Sequence, residues 1–504
     1  MNRAWLIVGI TLLVAGCDAR KLLGDSFSVQ KSCEATHPDC VFQSAAGTTQ
    51  QICEPTTGQC RQCGKGADSM SSFDLVSGTK ECRDGYKKGL ICDSTKFECR
   101  SCQSINQECA KADPAYPVCN GGVCTACTTN DECVKEGFIT CSSGRCRGCS
   151  TNTECKDDTR PYCDPGTTAC RECKADSECD SQLCDTGKNP AVVEGVGKCA
   201  KANSIVWVQN GGCSNGQGTV ASPYCSIAEA LANPNAKYLQ LKTSGTSYTV
   251  PTPLNRNLVL LGQGTTFADV ILSPFTFSGA GQSLVLRNVT VRDQSKLQSL
   301  VKCTAGSVTV LKSMLDTGKR GIDADASCTK VTVEQTRIDG APGAGIYIAA
   351  QTDYRIVNSI VLNTANTSDF TGVILSTSKT GKFAFNTIIA NGKTVAATIP
   401  GGFDCGSTQK LLESSLIYAN FPNNKQFVGT ACQGKGLVVG SDTSAPQGSA
   451  MASPMVNGDG TLMATDTACA DQVDADPEIA VDYFGNPRPK VAGGKADIGF
   501  HEVK

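Results

Sequence analysis

From about residue 200 onward, short runs of Val, Ile, Leu and Thr are separated by Gly, Asn, Asp and Ser, and no stretch keeps the 3.6-residue spacing of an amphipathic helix. Six of these runs align, beginning at Asn288, Ser313, Thr336, Asn358, Asn386 and Ser414, at intervals of 25, 23, 22, 28 and 28 residues. Each places a small polar residue before an apolar one. A period of that length predicts an all-β fold, a right-handed parallel β-helix whose coils stack about 4.8 Å apart. Stacking aligns like with like. Asn, Ser and Thr then form hydrogen-bonded ladders, while Leu315, Ile338, Ile360, Ile388 and Leu416 form an inward column. A β-sandwich is the alternative, but it shows turn signals about every 8–12 residues without a longer period.

Before residue 200 the texture is polar and the cysteines dominate. Of 32 cysteines, 24 lie between Cys33 and Cys199 and only seven lie beyond. That density exceeds the roughly 8–10% of a disulfide scaffold. A CxxC recurs as Cys60/Cys63, Cys99/Cys102, Cys124/Cys127, Cys146/Cys149 and Cys170/Cys173, with a further cysteine pair between successive ones. The period predicts tandem modules of four cysteines, each spanning a CxxC. Zinc ribbons use the same spacing in a reducing compartment, whereas an exported chain forms bridges. With few large apolar side chains, such modules depend on cross-links for stability.

The N-terminus decides between these compartments. An apolar stretch from Ala4 to Gly16 follows Arg3 and ends at Cys17, too short for a spanning helix of about 20 residues and right for a signal-peptide core. Val14, Ala15, Gly16 and Cys17 resemble a bacterial lipobox. That resemblance implies cleavage before Cys17, acylation of its sulfur and attachment of the mature chain to a membrane, with Asp18 a position that favours inner-membrane retention in enterobacterial lipoproteins. The expected organisation is a signal peptide at 1–16, a lipidated N-terminus and linker at 17–32, a cysteine-rich repeat region at 33–200 and a parallel β-helix at 201–504. The repeats resemble small cysteine-rich modules in surface proteins of predatory and gliding bacteria, and more distantly epidermal-growth-factor-like modules.

Cysteine spacing bears on the β-helix as well. Cys303 to Cys328 and Cys405 to Cys432 are 25 and 27 residues apart, about one coil, and stacked residues lie within the Cα separation a disulfide tolerates. Cys213 and Cys225 are close enough to close a loop, which leaves Cys469 over. The stretch from Val206 to Leu231, with Gly211, Gly212 and a capping box at Ser226 and Glu229, resembles the opening of pectin-lyase-like proteins, where a short helix plugs the coil. Asp482 to Pro489 and Asp497 to Glu502 are similar to the closing motif of bacterial β-helix surface proteins.

Charge adds little: 46 basic and 48 acidic residues give −2, so nothing argues for nucleic acid. Two histidines, His37 and His501, supply poor material for acid–base chemistry. The carboxylate–histidine pattern of polygalacturonase-type hydrolases is absent. Lyase chemistry would need clustered carboxylates and a basic residue. The pairs on neighbouring coils are Arg292 with Asp293, Arg320 with Asp323 and Asp325, and Arg337 with Asp339. Trp207, Tyr347, Tyr354, Tyr418 and Phe370 are the aromatic platforms on offer for a sugar, and the turn Asn457, Gly458, Asp459, Gly460 and the carboxylates Asp471, Asp474 and Asp476 are candidate calcium ligands without a complete loop motif. The expectation is a non-catalytic, lipid-anchored protein of a Gram-negative cell surface, at the outer membrane, binding polysaccharide or another surface protein for adhesion and using no cofactor. A cell-attached polysaccharide lyase or glycoside hydrolase is the alternative.

Overall fold

The computed structural model describes the backbone of short strands between residues 39 and 100 and, with side chains, residues 101–503 apart from short loop segments, the longest 186–196. Cys17, the 1–16 signal segment, the 17–32 linker and His37 lie outside the described residues. The chain forms two compact units, divided between Arg171 and Glu172. No helix among the described residues is long and apolar enough to cross a membrane.

In the first unit, disulfides join Cys102 to Cys119, Cys109 to Cys124, Cys127 to Cys141, Cys133 to Cys146, Cys149 to Cys163 and Cys155 to Cys170. The first cysteine of each module thus bonds the third, and the second the fourth. This corrects the expected phase of the repeat. A CxxC is the junction between two modules, its first cysteine ending one and its second beginning the next. The hairpin at the end of each module explains the pattern: Cys119 faces Cys124, Cys141 faces Cys146 and Cys163 faces Cys170 across the two strands, and each reaches back to a different point of the preceding segment. The same backbone register sets Cys53 opposite Cys60 and Cys92 opposite Cys99.

The polar residues between the cysteines are also specified. Helix Asn130–Lys135 begins with Thr129 and Glu132 in a reciprocal capping box, and the turn Asn152–Glu154 repeats it with Thr151 and Glu154. Asn130 Oδ1 accepts the Cys141 N–H and Asn152 Oδ1 the Cys163 N–H, both at 2.9 Å. A polar insert therefore pins the hairpin that carries the bridges. Among the described residues, each of the modules beginning at Cys102, Cys127, Cys149 and Cys173 sets three sulfurs within 4.8 Å of one another, and all of them belong to disulfides. Each bridge closes a loop of the size that stabilises by about 3 kcal/mol.

The second unit is a parallel β-solenoid. From the coil that holds Ile271–Leu272 onward strands lie on three faces, while the first coils contribute to face 2 alone, and all pairings between coils are parallel. Face 1 runs through Ile322–Ala324, Ile346–Ile348 and Val373–Leu375. Face 2 runs from Ile205–Val208 through Tyr238–Leu241 and Leu258–Gly262 up to Cys432–Lys435. Face 3 is a nine-stranded sheet that includes Thr290–Arg292, Met314–Asp316, Arg337–Asp339, Ile360–Leu362, Thr387–Ile389 and Leu416–Tyr418. Helix Ile227–Ala232 closes the first coil, with Ile227 and Ala230 buried among Val206, Val208 and Leu239; Ser226 caps it, and Glu229 reaches one residue beyond the expected box to accept the Cys225 N–H.

The corner between faces 2 and 3 is built the same way in six coils. Asn288, Lys312, Gln335, Asn358, Phe385 and Ser414 all adopt left-handed backbone angles, with φ between 44° and 55°. The residue after each points inward, and four of these form a ladder: Ser313, Ser359 and Ser415 each accept an N–H from the coil below and donate back to a carbonyl two residues earlier, while Asn386 Oδ1 accepts the Ser359 N–H at 3.0 Å. A second buried ladder, absent from the sequence reading, stacks Thr364, Asn391 and Asn420 with Gln426. Asn391 Oδ1 accepts the Thr364 N–H and hydroxyl at 2.9 and 2.8 Å, and Asn420 Oδ1 accepts the Asn391 N–H and Nδ2.

Face 3 corrects the expected column. In register, the inward residues are Val291, Leu315, Ile338, Val361, Ile388 and Ile417. Ile360 and Leu416 point outward, one residue off, yet are buried. The cover is a strap formed by the C-terminal residues, which returns along the faces 2–3 corner. Phe500 packs on Ile360, Leu362 and Ile389, while Cys469, Val473, Ile479 and Ile498 pack with Phe385 and Leu416. Face 2 is covered lower down: the last cysteine module, bridged Cys173–Cys184 and Cys179–Cys199, sets Leu183 and Ala200 on Val259, Leu261 and Val285, with Asp176 paired to Arg287 at 2.6 Å. Composition changes near residue 200, but this module packs with the solenoid.

Candidate functional site

Face 1 carries neither cover. Its outward row, one residue per coil, is Lys302, Asp323, Tyr347, Ile374, Asp404 and Val428. On the turn before Asp323, Arg320 reaches back to bond Asp323 Oδ1 at 2.7 Å, and its guanidinium lies 4.4 Å from the centre of the Tyr347 ring and 5.5 Å from that of Phe370. Ser299 donates to the other Asp323 oxygen at 2.8 Å. The arginine is thereby held over two aromatic rings on a sheet surface. Each such contact stabilises by about 0.5–1 kcal/mol. Phe370 is exposed and Tyr347 half-buried.

The other arginine–carboxylate pairs lie elsewhere. Arg292 Nε bonds Asp316 on the next coil at 2.6 Å, and Arg337 bonds Asp339 at 2.7 Å, with Asp339 also accepting Asn363 Nδ2; all are on face 3. Asp293 folds its own loop, accepting N–H groups from Ser295, Leu297 and Gln298. Asp325 accepts the Ser327 N–H at the end of its strand. Arg292, Arg320 and Arg337 are thus each held in an ion pair with a carboxylate. Of the four aromatic platforms beside Trp207, Tyr354 is buried in the core and raised to about 12 by its burial, and Tyr418 packs beneath the strap. Trp207 sits at the first coil, with Lys242 Nζ 5.9 Å from its ring.

The candidate calcium carboxylates do not converge. Asp459 Oδ1 accepts the Thr461 N–H and hydroxyl at 3.0 and 2.7 Å. The Asp471 N–H bonds Asp497, Asp474 pairs with Lys495 at 3.2 Å, and Asp476 pairs with Lys382 at 2.6 Å. Cys213–Cys225, Cys303–Cys328 and Cys405–Cys432 are disulfides, the last two joining successive coils. Cys469 is the free thiol among the described residues, buried in the strap, where burial and the nearby Asp466 and Asp497 push its ionisation up.

The closing motif is a clasp. Arg488 is buried, donates through Nη1 to the carbonyls of Asp497 and Gly499 at 3.0 Å, and rests on the Phe385 ring. Asp482, Asp497 and Glu502 spend their oxygens on backbone N–H groups of the same segment. Gln335 and Asn358, from the left-handed corner row, donate to the strap carbonyls of Asp482, Tyr483 and Val481.

The sequence pairs Arg320 with Asp323 but offers Tyr347 and Phe370 apart from them, and does not reveal that the four meet. Lys302 and Ser299 went unnoticed. The available signal was coil spacing: Ser299 to Asp323 and Asp323 to Tyr347 are both 24 residues. Comparison with protein-family models, with curated proteins and with solved structures finds no match to this chain.

Proposed function

We propose that this chain is an exported, lipid-anchored bacterial surface protein whose solenoid binds a polysaccharide along face 1 without cleaving it. The observation that carries the reading is the Arg320–Tyr347–Phe370 platform on a face that neither the strap nor the last cysteine module covers. Aromatic faces stack on the apolar faces of sugar rings, and Asp323 and Lys302 in the same row offer an acceptor and a donor to hydroxyls. Export is supported by the tandem disulfides, which persist in oxidising compartments, and by the lipobox at Cys17. The solenoid is taken as pectin-lyase-like, with Ile227–Ala232 in the place of the plug helix. The arginines that a lyase would need as base are each bound to a carboxylate, which favours binding over turnover.

The test is a glycan array with the acylated full chain and its Phe370→Ala variant, together with fatty-acid-analogue labelling of the parent and Cys17→Ala. Binding to extended glycans that drops at least tenfold in Phe370→Ala, and label lost in Cys17→Ala, are expected. Unsaturated product or new reducing ends that disappear with Arg292→Ala, Arg320→Ala or Arg337→Ala would replace this reading with the enzyme one.

A further inference from the structure

Where the strap leaves the faces 2–3 corner, the corner continues bare. Gln335 and Asn358 are under the strap, but the next positions down the same row, Lys312 and Asn288, form the floor of a groove of about 440 Å³. That volume is within the roughly 300–1,000 Å³ of small-molecule sites. Its upper wall is aromatic. Tyr483 and Phe484 meet edge to face at 5.0 Å, and Phe484 remains 56% exposed although it belongs to a cluster with Phe500 and His501. Phe267 lies at the lower end, and Arg337 and Asp459 also line the groove.

The charges decide what fits. Burial alone would raise the Asp459 carboxyl, but the Thr461 hydroxyl and N–H and the nearby Arg337 outweigh it and hold the group below the usual carboxylate value, so it is ionised. Tyr483 is pushed up to about 12 by burial and stays a neutral phenol. An anion in the groove meets Asp459, and a cation meets Lys312 and Arg337. A neutral group that both donates and accepts satisfies both signs, and an aromatic wall favours one with a flat apolar face. We infer that this groove is a second binding site, separate from the face 1 platform, for a neutral saccharide of one or a few pyranose rings. The strap makes the site, because Tyr483, Phe484 and Asp459 all come from it.

Calorimetric titration of the full chain with cellotriose, mannotriose and xylotriose, and with trigalacturonate as a charged comparator, tests the assignment. Saturable binding of at least one neutral trisaccharide is expected, weakened at least tenfold by Phe484→Ala and by Lys312→Ala and unchanged by Phe370→Ala. Lys312 is an exposed side chain, so its variant remains informative should Phe484→Ala loosen the strap. No heat with any neutral trisaccharide, or binding of trigalacturonate alone, overturns the inference. Binding abolished by Phe370→Ala and untouched by the groove variants also overturns it while leaving the face 1 reading intact.

Discussion

The guanidinium of Arg488 lies 4.4 Å from the centre of the Phe385 ring, joining two residues 103 positions apart in sequence. Phe385 occupies a left-handed corner, an unfavourable backbone for a bulky side chain, and Arg488 is a buried cation lowered to about 10 by its burial, still protonated at neutral pH. Each answers the other. The ring face meets a charge that hydrogen-bonds only through Nη1 and has Glu502 at 3.6 Å, and the arginine fixes the ring that the strap packs upon.

Replacing that cation should release the strap. Arg488→Leu leaves the Asp497 and Gly499 carbonyls and the Glu502 carboxylate buried without their partner, at a cost of about 3–5 kcal/mol. Cys469 is the natural reporter, since it is shielded only while the strap is docked. Its alkylation under native conditions should accelerate at least about a hundredfold in the variant. Equal rates in parent and variant would mean that the clasp is not what keeps the strap closed.

The asparagine ladder should be intolerant of an apolar isostere. Asn391→Leu removes the acceptor of the buried Thr364 N–H and the donor to the Val361 carbonyl, costing about 2–4 kcal/mol. Thr364→Val gives up only the hydroxyl and should cost about 1 kcal/mol. Thermal unfolding of the full chain ranks the two.

Disulfide connectivity makes a prediction about where a cut matters. Trypsin acting after Arg147 or Arg171 cleaves a CxxC junction, and the unreduced pieces should separate there. Cleavage after Lys135 or Arg145 falls inside a module, and the pieces should stay joined until reduction. Mass spectrometry of the unreduced digest distinguishes this from bridges that cross a CxxC.

Mild acid should loosen the strap through His501. Burial lowers its pKa from 6.5, partly opposed by Asp482 and Asp497, reinforced by Arg488 and opposed again by Asp459. The folded state therefore binds the proton less well than the unfolded chain. The stability this gives is complete above about pH 6.5 and is lost as pH falls toward and through the lowered value. Glu502, raised by burial, acts in the opposite sense at lower pH, so the comparison is with His501→Gln. Cys469 protection in that variant should be flatter between pH 7 and 5 than in the parent.

The solenoid was legible because Leu315, Ile338 and Ile388 stack in register and recur at coil spacing. The one-residue slip at Ile360 and Leu416 has a physical cause. In the lower coils, outward positions such as Arg292, Asp316 and Asp339 are polar and betray the phase, whereas beneath the strap both sides of the strand are buried and apolar. Asn288 and Asn358 added to the confusion, since Asn suits both a left-handed corner and a ladder. The four-cysteine period was likewise visible but not its phase, which depends on which cysteines face each other across a hairpin. The face 1 platform was present as the pair Arg320 and Asp323 and, apart from it, Tyr347 and Phe370, and no single-residue signal says that Arg320 lies over Tyr347.

The strap also acts as a ruler. It touches the corner row at positions set one coil, about 4.8 Å, apart: Ser414, Phe385, Asn358 and Gln335 in turn. Repeat proteins ordinarily gain or lose units freely, because each unit knows only its neighbours. Here a coil inserted between Gln335 and Ser414 would move every later contact by a full step while the strap kept its length, so the segment that closes the fold also counts its coils.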